Sequence, residues 1–115
     1  MAYDEELADR IRELVGGHER LSEQKMFGGL AFLVGGHTAV AANSLGGLMV
    51  RVDPAQGEKL IASGPAVAME MRGRELTGWL RVPIEAVRTK RQLERWVGIG
   101  VAYAASLPPK GAKRR

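Results

Sequence analysis

The sequence predicts an α+β domain in the order α-β(3)-α-β(2)-α, with helices packed on an antiparallel sheet. Three observations carry this. Both ends show apolar residues at helical spacing. The middle breaks into short apolar runs separated by glycine pairs. With 115 residues, the chain is long enough to bury a core of its own.

In the first segment Leu7, Ala8, Ile11, Leu14 and Val15 form one helical stripe, opposite Asp9, Arg10, Arg12 and Glu13. Asp4 suits the N-cap, Glu5 and Glu6 suit the positive end of the dipole, and Gly16-Gly17 ends the helix. From Leu21 to Val52 the texture is β. Gly35-Gly36 supplies the positive φ angles of a tight hairpin, and Gly46-Gly47 fits a second turn or a bulge. Gly28-Gly29 falls within an apolar run and reads as a bend in one long first strand, giving a three-stranded meander.

Asp53-Pro54 opens a short helix, aspartate as N-cap and proline at the first helical position, with Leu60 and Ile61 toward the core. Strands are expected at about 66–71 and 76–82, the second with Leu76, Trp79 and Leu80 inward and Gly78 leaving room for a neighbour. Pro83 ends the sheet. Thr89 and Gln92 have capping-box spacing, opening a helix to about Ser106. Its buried stripe is Leu93, Trp96, Val97, Gly100, Val101 and Ala104, and Leu107-Pro108-Pro109 stops it. Residues 1–109 read as one domain and residues 110–115 as a flexible basic tail.

Composition excludes several classes. There is no cysteine, so no disulfide scaffold, thiolate nucleophile or cysteine-held metal. Two histidines, His18 and His37, are too few for a histidine-rich metal site. No apolar run approaches a membrane span, and the acidic N-terminus is unlike a signal peptide, so a cytoplasmic protein is expected. The net charge of +4 is unevenly placed. Residues 1–23 hold three basic and seven acidic side chains, whereas residues 84–115 hold eight and two. Four of those eight are Lys110, Lys113, Arg114 and Arg115 in the tail.

Catalytic patterns are missing. The serines lack a nucleophile-elbow context, the acidic residues of the first helix are explained by capping and solvation, and the glycine pairs precede strands rather than a phosphate-binding helix. No enzyme activity, metal or cofactor is expected. What stands out is a cationic group, Arg88, Lys90, Arg91 and Arg95, at the start of the last helix. Arg88, Arg91 and Arg95 recur at i, i+3 and i+7, an exposed stripe suited to phosphates or to an acidic partner. Cations at a helix N-terminus run against its dipole.

Four segments together resemble a known family: Lys25-Met26-Phe27-Gly28-Gly29-Leu30-Ala31-Phe32, Leu48-Met49-Val50-Arg51-Val52-Asp53-Pro54, Gly78-Trp79-Leu80-Arg81-Val82, and Ser106-Leu107-Pro108-Pro109-Lys110. In this order they are similar to the TfoX N-terminal domain, the first module of the TfoX/Sxy regulators of bacterial competence. The resemblance implies a fold like that of type III secretion chaperones. It also implies a non-enzymatic regulatory role, since full-length members act with the cyclic-AMP receptor protein and carry a second, helical domain. This chain ends at the Pro-Pro-Lys tail, so a stand-alone form is expected. The motif positions take physical roles: Gly28 and Gly29 as the bend, Asp53 as a cap, Trp79 as core, Pro108 and Pro109 as a stop.

The sequence thus favours a protein-interaction domain. Its partner would be an acidic protein, such as a transcription factor, or a second copy, and its working surfaces the sheet face near Met26–Phe32 and the Arg88/Arg91/Arg95 stripe. The alternative is direct, salt-sensitive nucleic-acid binding through the tail and that stripe.

Overall fold

The stripe read in the first segment closes onto a sheet in the computed structural model, which describes residues 5–17, 21–26, 29–43, 47–64, 66–71 and 73–107. Helix α1 (Glu5–Val15) buries Leu7, Ala8, Ile11 and Val15, as the period requires. Its expected cap, Asp4, lies outside the described residues, as do Phe27, Gly28, Gly46, Pro108, Pro109 and the tail cations Lys110, Lys113, Arg114 and Arg115.

The α+β class is as predicted, but four strands follow α1 rather than three. Strand β1 (Leu21–Met26) pairs antiparallel with β2 (Gly29–Val34), Met26 opposite Gly29, so the chain reverses where a bend was expected. The reason lies in β1 itself. Ser22, Glu23, Gln24 and Lys25 are all exposed, and a polar edge strand has no apolar run to announce it. Every residue of β2, by contrast, is buried, because apolar clusters lie on both faces of the sheet there.

Gly35 and Gly36, at φ of 62° and 85°, make the predicted two-residue turn into β3 (His37–Asn43). Strand β4 (Gly47–Arg51) leads to α2 (Pro54–Ala62), whose N-cap is Asp53, its carboxylate accepting from the Ala55 N–H at 2.9 Å. Leu60 is buried as expected, while Ile61 is exposed. Strands β5 (Val67–Met71) and β6 (Arg74–Pro83) complete a six-stranded antiparallel sheet in the order β1-β2-β3-β4-β6-β5. An unforeseen 3₁₀ turn, Ile84–Val87, then leads to α3 (Lys90–Ser106).

The main core lies between one sheet face and the helices. Leu7 and Ile11 from α1, Leu60 from α2, and Leu93, Trp96 and Val97 from α3 join Phe32, Val40, Val50 and Leu80. On the other face, Ala31, Leu33, Ala41, Met49 and Met69 form a second cluster, made among the described residues of strand residues alone. Trp79 packs half-buried against this second cluster. It is therefore not part of the main core. Leu80, next in the strand and pointing the other way, takes that place.

One ionic strap ties the edge strand to α1. The Arg12 guanidinium donates to both Glu23 oxygens, at 2.8 and 3.0 Å, and to Asp9 Oδ1 at 2.7 Å. These bonds hold the Glu23 carboxyl below its ordinary range. The folded state therefore binds fewer protons at this group than the unfolded chain. Its contribution to stability is complete above about pH 4.3, the usual glutamate value, and is lost as pH falls through the lowered folded-state pKa. Glu23→Gln should lower the urea midpoint near pH 7, and its difference from the parent chain should vanish once the pH has fallen through the lowered folded-state pKa. A difference unchanged in acid would mean that Glu23 acts through packing rather than charge.

Candidate interaction surface on the last helix

The start of α3 is fixed from two sides. Thr89 and Gln92 form the predicted capping box: Thr89 Oγ1 accepts from the Gln92 N–H at 3.1 Å, and Gln92 Oε1 accepts from the Thr89 N–H at 3.0 Å. From α1, Arg10 Nη2 donates to the carbonyls of Val87 at 2.8 Å, Arg88 at 3.0 Å and Thr89 at 3.4 Å. The first two acceptors lie at the end of the 3₁₀ turn, and the third, the carbonyl of the α3 cap, also accepts from the Leu93 N–H at 3.0 Å. In the sequence Arg10 falls on the polar side of the helical stripe. Nothing local marks it, because its acceptors lie 77 to 79 residues away.

Onto this fixed start the sequence places its cations. Arg88, Lys90, Arg91 and Arg95 are all exposed, but of the expected helical stripe only Arg91 and Arg95 lie on α3, because the extended Thr89 cap sets Arg88 off the helix at the end of the 3₁₀ turn. Among the described residues the ion pairs are those of Arg12 with Asp9 and Glu23, and none of the four cations has one. No acidic residue occupies the first turn of α3 to offset them. Each first-turn cation opposes the helix dipole by roughly a few tenths of a kcal/mol. Arg95 lies over the ring of Trp96, 5.2 Å from its centroid, and Trp96 is buried beneath it.

Beside the stripe runs a groove of about 490 Å³ between the first turn of α2 and the outer side of α3. Gln56, Arg95, Gly98, Ile99, Ala102 and Tyr103 line it. At its Tyr103 side sits Arg51, whose guanidinium is 5.6 Å from the Trp79 ring and 5.9 Å from the Tyr103 ring. Arg51 thus links the sheet to α3 through two aromatic faces.

Four of the motif residues meet at this junction. Arg51 pairs with Trp79 across β4 and β6, Asp53 caps α2 two residues on, and the Gly78 carbonyl accepts from the Val52 N–H at 2.8 Å. Gly78 has φ of 85°, and a Cβ there would press on the Val52 carbonyl at 3.0 Å, so the expected close neighbour is the backbone leading into α2. Gly29 and Met26 stand apart, at the β1–β2 reversal. Leu107 caps the end of α3, its N–H donating to the Ala104 carbonyl at 3.2 Å. The sheet face expected as a working surface near Met26–Phe32 is not open, since Gly29, Leu30, Ala31 and Phe32 are buried.

Among the described residues no three of His, Cys, Asp and Glu converge on a common point, and no helix is long and apolar enough to cross a membrane. The fold and this surface define a small α+β module that displays a cationic helix end next to a shallow groove. The TfoX N-terminal domain model matches residues 13–104, and the chain belongs to that family. No curated protein matches it.

Proposed function

We propose that this chain is a non-enzymatic regulatory module of the bacterial cytoplasm that docks an acidic protein surface on the start of α3. One observation carries the reading: four exposed cations with no ion pair among the described residues gather at one helix end, and the dipole disfavours the two in its first turn, Lys90 and Arg91. A carboxylate-bearing partner would relieve that opposition and supply charge-assisted hydrogen bonds to the arginines. The capping box and Arg10 hold the surface in place before binding, so little ordering is needed on contact.

The test is an affinity capture from native extract at about 150 mM salt, with a nuclease-treated duplicate. Arg91→Glu with Arg95→Glu should abolish capture of an acidic protein that survives nuclease. Recovery of nucleic acid alone, or of proteins that disappear with nuclease, would replace this reading by direct nucleic-acid binding.

A further inference from the structure

The charge that complements the α3 stripe is present on the chain itself. Helix α1 exposes Glu5, Glu6 and Glu13, and among the described residues none of them is ion-paired. Glu5 and Glu13 lie eight residues apart, about 12 Å along one side of the helix at 1.5 Å per residue. Arg91 and Arg95 lie four residues apart on α3, about 6 Å on the same scale, and Arg88 stands just before the Thr89 cap. Helices α1 and α3 pack against each other in the layer above the same sheet face, and their charged stripes point away from the shared core.

We infer that the acidic partner of this surface is a second copy of the chain, an inference that rests on the reading proposed above. A two-fold rotation sets α1 of each copy against α3 of the other, so that an acidic stripe meets a basic one twice. Such an interface is self-complementary and closes as a dimer.

The outer side of α3 fits a close neighbour. Beyond Arg95 its exposed residues include the small Gly98, Ala102 and Ala105, and the larger Ile99 and Tyr103 are half-buried beside them. Gly98 stands in the helix interior, where glycine is a poor former, yet a Cβ there would meet nothing within 4 Å. The packing of the single chain does not require that glycine. A helix crossing the 490 Å³ groove would use the space.

Sedimentation velocity on the full chain tests this by charge exchange. The parent chain should show a concentration-dependent monomer–dimer equilibrium that moves toward monomer as salt rises. Arg91→Glu with Arg95→Glu places acid against acid, and Glu5→Lys with Glu13→Lys places base against base. Each variant alone should dimerise on the order of 100-fold more weakly. Mixed in equal amounts, the two should form a heterodimer, because both contacts then pair opposite charges again. Recovery on mixing also shows that both variants are folded.

A parent chain that stays monomeric up to millimolar concentration overturns the inference. So does a dimer that persists in both variants, or a mixture that forms no heterodimer. A monomer that still captures an acidic protein through Arg91 and Arg95 leaves the docking proposal standing. A monomer that captures none removes both.

Discussion

Trp96→Ala should destabilise the domain by about 3–5 kcal/mol, the range for removing a large buried aromatic. Trp96 is 2% exposed and is the largest fully buried side chain of the core. It stands on α3 among residues drawn from α1, α3 and the sheet, so its removal opens a space that no single neighbour can fill. Small domains have roughly 5–15 kcal/mol in total, so the variant is left marginal or unfolded at body temperature. Urea unfolding followed by fluorescence measures the loss, because half-buried Trp79 remains as a reporter. A loss below about 1 kcal/mol would mean that the helical layer collapses around the vacancy far more readily than close-packed interiors do. The same substitution removes the ring beneath Arg95, so partner binding should weaken even in the fraction that folds.

The second large effect sets two glycines of one helix against each other. Both Gly98 and Gly100 lie inside α3, where alanine is worth up to about 1 kcal/mol more than glycine. On propensity alone both substitutions stabilise. At Gly100, however, a Cβ would overlap the Ala39 carbonyl oxygen and stand 2.8 Å from Val40 Cγ1, so the helix must be pushed off β3. Overpacking of this kind costs about 1–3 kcal/mol and here acts against rigid backbone. Gly100→Ala should therefore lose about 2 kcal/mol, roughly 10 °C in melting temperature for a domain of this size. Gly98→Ala, with open space around it, should gain up to about 1 kcal/mol. Thermal melts of dilute single variants suffice. Gly100→Ala melting at or above the parent temperature would contradict the packing of α3 on β3.

What could be read from the sequence was what local chemistry decides. The Asp53 cap, the Thr89–Gln92 box and the Gly35-Gly36 turn each depend on residues within four positions of one another, and all three are in place. β1 is not legible in the sequence because an exposed edge strand carries no apolar signature. Trp79 and Leu80 could not be told apart by face. They are adjacent and both apolar, and Gly78 with its positive φ breaks the alternation that would have sorted them. Of the candidate surface, the Arg91–Arg95 spacing was legible, since it is a matter of helical period, whereas the Thr89 cap takes Arg88 out of that period. The groove beside it was not, because it arises from the distance between α2 and α3. Nor was the link from Arg51 to Trp79 and Tyr103, which joins residues far apart in the chain.

The three hydrogen bonds of Arg10 also bear on the order in which the domain assembles during synthesis. Its acceptors lie at 87–89, and the apolar side of α1 packs on residues that include Leu93, Trp96 and Val97 of α3. The first helix of this domain to leave the ribosome therefore meets its last partners only after most of the domain has followed. Short isolated helices are marginal in water, so α1 remains a fluctuating segment until then. The strands between can pair first through short hairpins, and docking of α1 beside α3 closes a loop of nearly eighty residues as a late, cooperative event. A nascent chain stalled before α3 has emerged would expose the apolar side of α1 together with the sheet face it covers, and that is the species a chaperone would meet.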